Sequence, residues 1–159
     1  MPTQQAQWIV RSLLLFSALP VERAYIYFFN DSDQPSLHAS AGLTRNFEPK
    51  PSFHAVAHLQ KTLGDYRFQK VVTNNPGQLR VHQYQHATDP KKTCWAVWSP
   101  TGGKQTHRAT LTNLPGKLTS STRMPLSGQP APPVTVTETA NKALTLKVSE
   151  TPVYLHFTR

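Results

Sequence analysis

Ala24-Tyr25-Ile26-Tyr27-Phe28-Phe29 is the stretch on which the reading of this chain turns. It is apolar on both faces, as a strand buried inside a parallel sheet must be. Asn30-Asp31-Ser32-Asp33 ends it with turn-forming residues. A polar segment runs on to Lys50, and Pro51 opens a helical pattern that Gly64 closes. Phe53, Val56, Ala57, Gln60 and Leu63 carry its spacing, and Gly64 suits the left-handed position that follows a helix. Strand, long loop and helix make one parallel-sheet unit. Such a unit needs neighbouring strands on both sides, and no other segment of the chain has the same pattern.

Working back toward the N-terminus, Thr3 is a candidate N-cap for a helix over Gln4–Ala18, stopped before Pro20. Its apolar residues, from Ala6 and Trp8 to Phe16 and Leu19, cover most of the circumference. A helix on the surface of a small domain shows a single stripe. This one is patterned for contact on its inner face and its flanks. Pro20-Val-Glu-Arg23 then connects it to the aromatic stretch.

Working forward, the period changes at Tyr66. Alternation predicts strands over Tyr66–Thr73, Leu79–His86, Thr93–Ser99, Arg108–Asn113, Lys117–Met124, Val134–Glu138, Ala143–Val148 and Val153–Thr158. Turn signals such as Asn75-Pro-Gly77, Pro100-Thr-Gly102 and Pro115-Gly116 separate them. Short, evenly spaced strands with no helix indicate an antiparallel sandwich. Ser127–Pro133 is expected to be an extended surface loop. The fold class is therefore α+β: a partial (β/α)8-barrel segment over residues 1–65, then an antiparallel β-sandwich over 66–159.

Composition excludes little. The 159 residues carry seventeen Lys and Arg against eight Asp and Glu, for a net charge of +9. An anionic partner, nucleic acid or acidic polysaccharide, is one explanation. Scarcity of acids is the plain alternative, and no basic run exceeds Lys91-Lys92, which speaks against a dedicated nucleic-acid surface. Cys94 is the one cysteine, so no internal disulfide can form. Trp8–Leu19 lacks the flanks of a signal peptide, since Arg11 lies inside it and Pro20–Ala24 lacks a small-residue cleavage site. No stretch is long enough to span a bilayer.

Here the residues carry a resemblance. Gln4-Gln-Ala-Gln-Trp-Ile-Val-Arg-Ser-Leu-Leu-Leu15, Val21-Glu-Arg-Ala-Tyr-Ile-Tyr-Phe-Phe-Asn-Asp31, Ala41-Gly-Leu43 and Lys50-Pro-Ser-Phe-His-Ala-Val56 look like the closing segment of clan A glycoside hydrolases of the family 39 type. In that family the order is the barrel's seventh helix, eighth strand, a loop to Gly-Leu, and a Lys-Pro start to the eighth helix. A β-sandwich follows, often ending in a strand like Thr151-Pro-Val-Tyr-Leu155. The resemblance implies retaining hydrolysis by two glutamates about 5–5.5 Å apart. Both family positions fall upstream of Met1, so it supplies no catalytic residue here and implies a C-terminal portion that is inactive alone. It implies an exported parent, a carbohydrate partner and the upstream barrel portion of the same enzyme as a second partner. No cofactor, metal, nucleic acid or membrane is implied.

The candidate substrate-binding residues are Tyr27, Phe29, Asn30, Asp31 and His38, as one wall of a sugar site. Turn chemistry is the competing account of Asp31, and core packing that of the aromatics. The family often places a tryptophan near the end of the eighth strand, and none stands here. His54 and His58 have a metal-compatible spacing without a third ligand. His82, Tyr84 and His86 share a strand face. Cys94 lies mid-strand, as a buried small side chain would. Trp95 and Trp98 are expected on opposite faces of one strand, where either could offer a sugar-stacking platform. The rival functions are a non-catalytic carbohydrate-binding sandwich and a basic nucleic-acid-binding protein.

Overall fold

A computed structural model describes residues 2–31, 40–102 and 104–159. Helix α1 spans Pro2–Phe16, followed by β1 (Asn30–Asp31), β2 (Thr44–Arg45), β3 (Glu48–Pro49) and helix α2 (Pro51–Leu63). Eight further strands follow: β4 (Tyr66–Asn75), β5 (Leu79–His86), β6 (Lys92–Trp98), β7 (His107–Leu111), β8 (Lys117–Arg123), β9 (Val136–Glu138), β10 (Leu144–Val148) and β11 (Val153–Thr158). The chain divides into two compact units. One is Met1–Lys61 with Pro125–Pro130; the other is Thr62–Met124 with Ala131–Arg159.

In the second unit the strands form a five-stranded sheet, ordered β4-β5-β6-β11-β8, and a three-stranded sheet, ordered β7-β10-β9. All of these pairings are antiparallel. Alternation along the strands sends Val81, Trp95, Val97, Val153, Leu155 and Phe157 from the larger sheet into one core. Ala109, Leu111, Leu144, Leu146 and Val148 meet them from the smaller. That shared core makes the two sheets a sandwich. Trp95 packs its ring on Phe157 at 5.3 Å and donates its indole N–H to Gln83 Oε1 at 2.8 Å. A buried tryptophan needs such a partner.

In the first unit only a narrow stripe of each helix is buried: Ala6, Val10 and Leu14 of α1, and Ser52, Ala55 and Leu59 of α2. Trp8 and Phe16 stay exposed, so the wide apolar belt expected on α1 is half used. The helix begins at Pro2, so Thr3 lies inside it and is not its cap. α2 opens at Pro51, as expected of a proline in the first turn. It ends at Leu63, but Gly64 is not in the left-handed region.

The strand expected over Ala24–Phe29 does not form. Pairing starts only at β1, two residues long, which runs parallel to β2. Tyr25 is 80% and Tyr27 89% exposed, with Phe29 at 58%. The physical reason is the absence of a ladder: among the described residues no strand pairs with Ala24–Phe29. An extended backbone without inter-strand partners is solvated, whatever its side chains prefer.

Candidate functional site

The residues after the aromatic stretch converge on one carboxylate. Asp31 is 1% exposed. Its Oδ1 accepts from the Gly42 N–H at 2.6 Å, its Oδ2 accepts from Lys50 Nζ at 2.7 Å, and Arg45 stands 3.6 Å away. Lys50 Nζ also donates to the carbonyls of Gly42 at 2.7 Å and Ser40 at 3.3 Å, which uses all three ammonium protons. Burial acts to raise the Asp31 pKa. The Lys50 hydrogen bond, the Gly42 N–H and the charges of Lys50 and Arg45 outweigh it, and the group lies below its ordinary value.

Local sequence explains the convergence. Phe29 C=O accepts from the N–H groups of Leu43 and Thr44 at 2.8 and 2.9 Å, which draws the chain after the loop against β1. Gly42 sits so close that a Cβ there would lie 2.7 Å from Asp31 Oδ1 and 2.9 Å from Phe29 O. Only glycine admits that approach. Gln5 of α1 donates to Gly42 C=O at 3.0 Å, so helix, strand end and loop share one polar knot. Segment 32–39 is thus bracketed by anchored residues, Asp31 on one side and Ser40 on the other. A carboxylate so engaged has no free lone pair aimed outward and no second acid beside it. It positions backbone and offers no acid–base chemistry.

Asn30 holds the next element. Its Oδ1 accepts from Thr44 Oγ1 at 2.9 Å and from the Phe47 N–H at 2.8 Å. Asn46 and Phe47 turn the β2–β3 hairpin with φ of 49° and 62°. Phe47 is 80% exposed. A left-handed aromatic at a hairpin tip stores strain, which tends to mark functional surfaces. Nothing in the sequence signals it, since an Asn-Phe pair lacks the usual turn glycine.

Of the expected site residues, Tyr27 and Phe29 present exposed rings, while Asn30 and Asp31 are engaged in the contacts above; His38 lies outside the described residues. Trp8, Phe16, Tyr25, Tyr27 and Phe28 line a shallow apolar groove of about 290 Å³ between α1 and the aromatic stretch.

The other candidates resolve differently. Trp95 and Trp98 do lie on opposite faces, but each is 1% exposed, so neither offers a stacking platform. Trp98 packs on His82, itself buried, at 4.8 Å. His86 Nδ1 accepts from the Thr88 and Asp89 N–H groups. Cys94 Sγ lies 3.9 Å from His156 Nε2. Burial pushes the thiol pKa far up and the His156 pKa down, so both stay neutral and the pair is no activated nucleophile. Among the described residues no group of three or more His, Cys, Asp or Glu is placed to hold a metal. No described helix is long and apolar enough to cross a membrane.

No protein-family model and no curated protein sequence matches the chain. Solved structures do. The whole chain superposes on part of a family 39 glycoside hydrolase from the gut symbiont Bacteroides cellulosilyticus WH2, with a TM-score of 0.77 and 25% identity. Three-quarters of it (75%) superposes on a GH30 endoxylanase from Clostridium papyrosolvens C71, with a TM-score of 0.53 and 11% identity, a likeness of fold alone. The chain spans 31% of the length of each. It is therefore related in structure to glycoside hydrolases, through a mixed α and antiparallel-β architecture.

Proposed function

We propose that this chain is the C-terminal portion of a retaining glycoside hydrolase of the family 39 kind. In this reading residues 1–65 supply the barrel's last helix, strand and helix, residues 66–159 supply the sandwich, and the catalytic glutamates belong to the preceding portion. The observation that carries it is the state of Ala24–Phe29. A six-residue aromatic run lies extended, unpaired and exposed beside an apolar groove, a surface suited to neighbouring parallel strands. Likeness over the full chain to less than a third of a family 39 enzyme supports it.

The substrate is a carbohydrate. Tyr27, Phe29, Asn30, Asp31 and His38 form one wall of its site, with the exposed rings facing the sugar and Asp31 fixing the loop from beneath. Phe47 joins them as a further exposed ring at the same strand end.

Two measurements test this. The purified chain is expected to show no turnover of aryl glycosides. Activity that survives purification and persists in an Asp31→Asn/Asp33→Asn variant would place chemistry within these residues and overturn the reading. Sequencing the DNA upstream is expected to reveal seven further barrel strands, an Asn-Glu after the fourth and a Glu after the seventh. Unrelated sequence there, in all frames, would remove the parent enzyme.

A further inference from the structure

The three-stranded sheet carries a feature that sugar hydrolysis does not require. Along β10, Thr145 and Lys147 alternate with the core residues Leu144, Leu146 and Val148; along β7, Arg108 alternates with Ala109. Arg108 and Lys147 are register partners, side by side on the face turned away from the core. Like charges directly opposite each other destabilise a sheet. Arg123 of β8 adds a third cation. It reaches Ser149 Oγ at 3.3 Å and Lys147 C=O at 3.4 Å. Burial pushes the Arg123 pKa down, and no carboxylate acts against that.

These three cations line a cleft of about 390 Å³ together with Thr135, Thr137 and Thr145. Among the described residues no Asp or Glu lines it, and none of the three cations is ion-paired. No aromatic ring lines it either. Neutral sugars and nucleobases, which are held largely by stacking, find no ring face here. What the cleft offers is concentrated positive charge, two guanidinium forks suited to planar or tetrahedral oxyanions, and threonine hydroxyls to complete their hydrogen bonds.

We propose that this cleft binds an anionic group of a polysaccharide, a sulfate or a carboxylate, through Arg108, Arg123 and Lys147. That an anion binds here rests on the cleft alone. That a glycan carries it rests on the functional reading above. The cleft would hold an acidic chain on the sandwich, on strands other than those that bear the proposed sugar-site wall.

The test is calorimetry of the full chain at 0.15 M NaCl against heparin, polygalacturonate, neutral xylan, duplex DNA and inorganic sulfate. Heparin and polygalacturonate separate sulfate from carboxylate as the source of charge. The cleft variant is Arg108→Glu/Lys147→Glu, at exposed positions; Lys61→Glu/Lys70→Glu, also exposed, makes the same change in net charge elsewhere. Circular dichroism confirms that both fold. Binding of heparin or polygalacturonate is expected to weaken about tenfold or more in the cleft variant and to change less than about threefold in the control. Equal weakening in both variants would reduce the effect to diffuse charge and overturn the proposal. So would binding of none of the anions, equal binding of xylan, or DNA bound as tightly as the glycans. Sulfate bound and lost in the cleft variant, with no glycan bound, would keep the anion site and remove the glycan reading.

Discussion

Asp31 and Lys50 are nineteen residues apart, and each removes the other's reason to be solvated. Taking one away leaves a buried charge uncompensated, at a cost of about 3–5 kcal/mol. Lys50→Met is expected to destabilise the first unit by that amount. Asp31→Asn, which keeps the shape and one acceptor, is expected to cost about 2–3 kcal/mol. The pH dependence has a definite sign. Because the folded pKa of Asp31 lies below the unfolded value of about 3.9, its contribution is complete above that value. It is lost as pH falls through the folded pKa, so Asp31→Asn should flatten the acid limb of a stability profile. Equal acid limbs in wild type and variant would mean that the ion pair contributes nothing. Phe47 offers a test of opposite sign. Relief of its left-handed backbone by Phe47→Gly should exceed the entropy glycine loses and raise stability by about 0.5–1 kcal/mol in urea unfolding. A loss of stability would show that the ring packs and that the strain account is wrong.

At the scale of elements, legibility followed the reach of the interactions involved. The sandwich strands were plain in the sequence because alternation is local: Leu79–His86 and Val153–Thr158 form with the expected ends. Pro51 located a helix start for an equally local reason. Ala24–Phe29 has as strong a strand pattern as any of these, yet it is not a strand. Composition says that a segment wants partners; it does not say whether the chain contains them. The Asp31 knot was hidden for a related reason. Asp-Ser-Asp reads as a turn, and neither Gly42 nor Lys50 reveals from its own neighbours that it belongs to the same carboxylate. Amide exchange follows directly. The N–H groups of 24–29 should exchange at close to unfolded rates, while the interiors of β5, β6 and β11 stay protected by neighbours on both sides. Protection above about a thousandfold across 24–29 would mean that these amides find acceptors the described fold does not give them.

At the scale of the whole molecule two surface properties oppose each other. A net charge of +9 keeps copies apart at low ionic strength. The groove beside α1 and the rings of Tyr25, Tyr27 and Phe29 favour association, because contiguous exposed apolar surface on a soluble chain is a contact surface in search of a partner. Salt decides between them. The screening length falls from about 10 Å at 0.1 M to about 3 Å at 1 M, while apolar attraction is not screened. Sedimentation velocity is therefore expected to show mainly monomer at 0.05 M NaCl and growing oligomers at 1 M. Tyr25→Ser/Tyr27→Ser/Phe29→Ser should suppress the oligomers, because none of these side chains contributes to the sandwich core. Arg108→Glu/Lys147→Glu lowers the charge without touching the groove, so it should promote association at low salt. If the chain stays monomeric at 1 M salt, the aromatic run is content in water, and the strongest physical reason to assign it a missing set of neighbouring strands is gone.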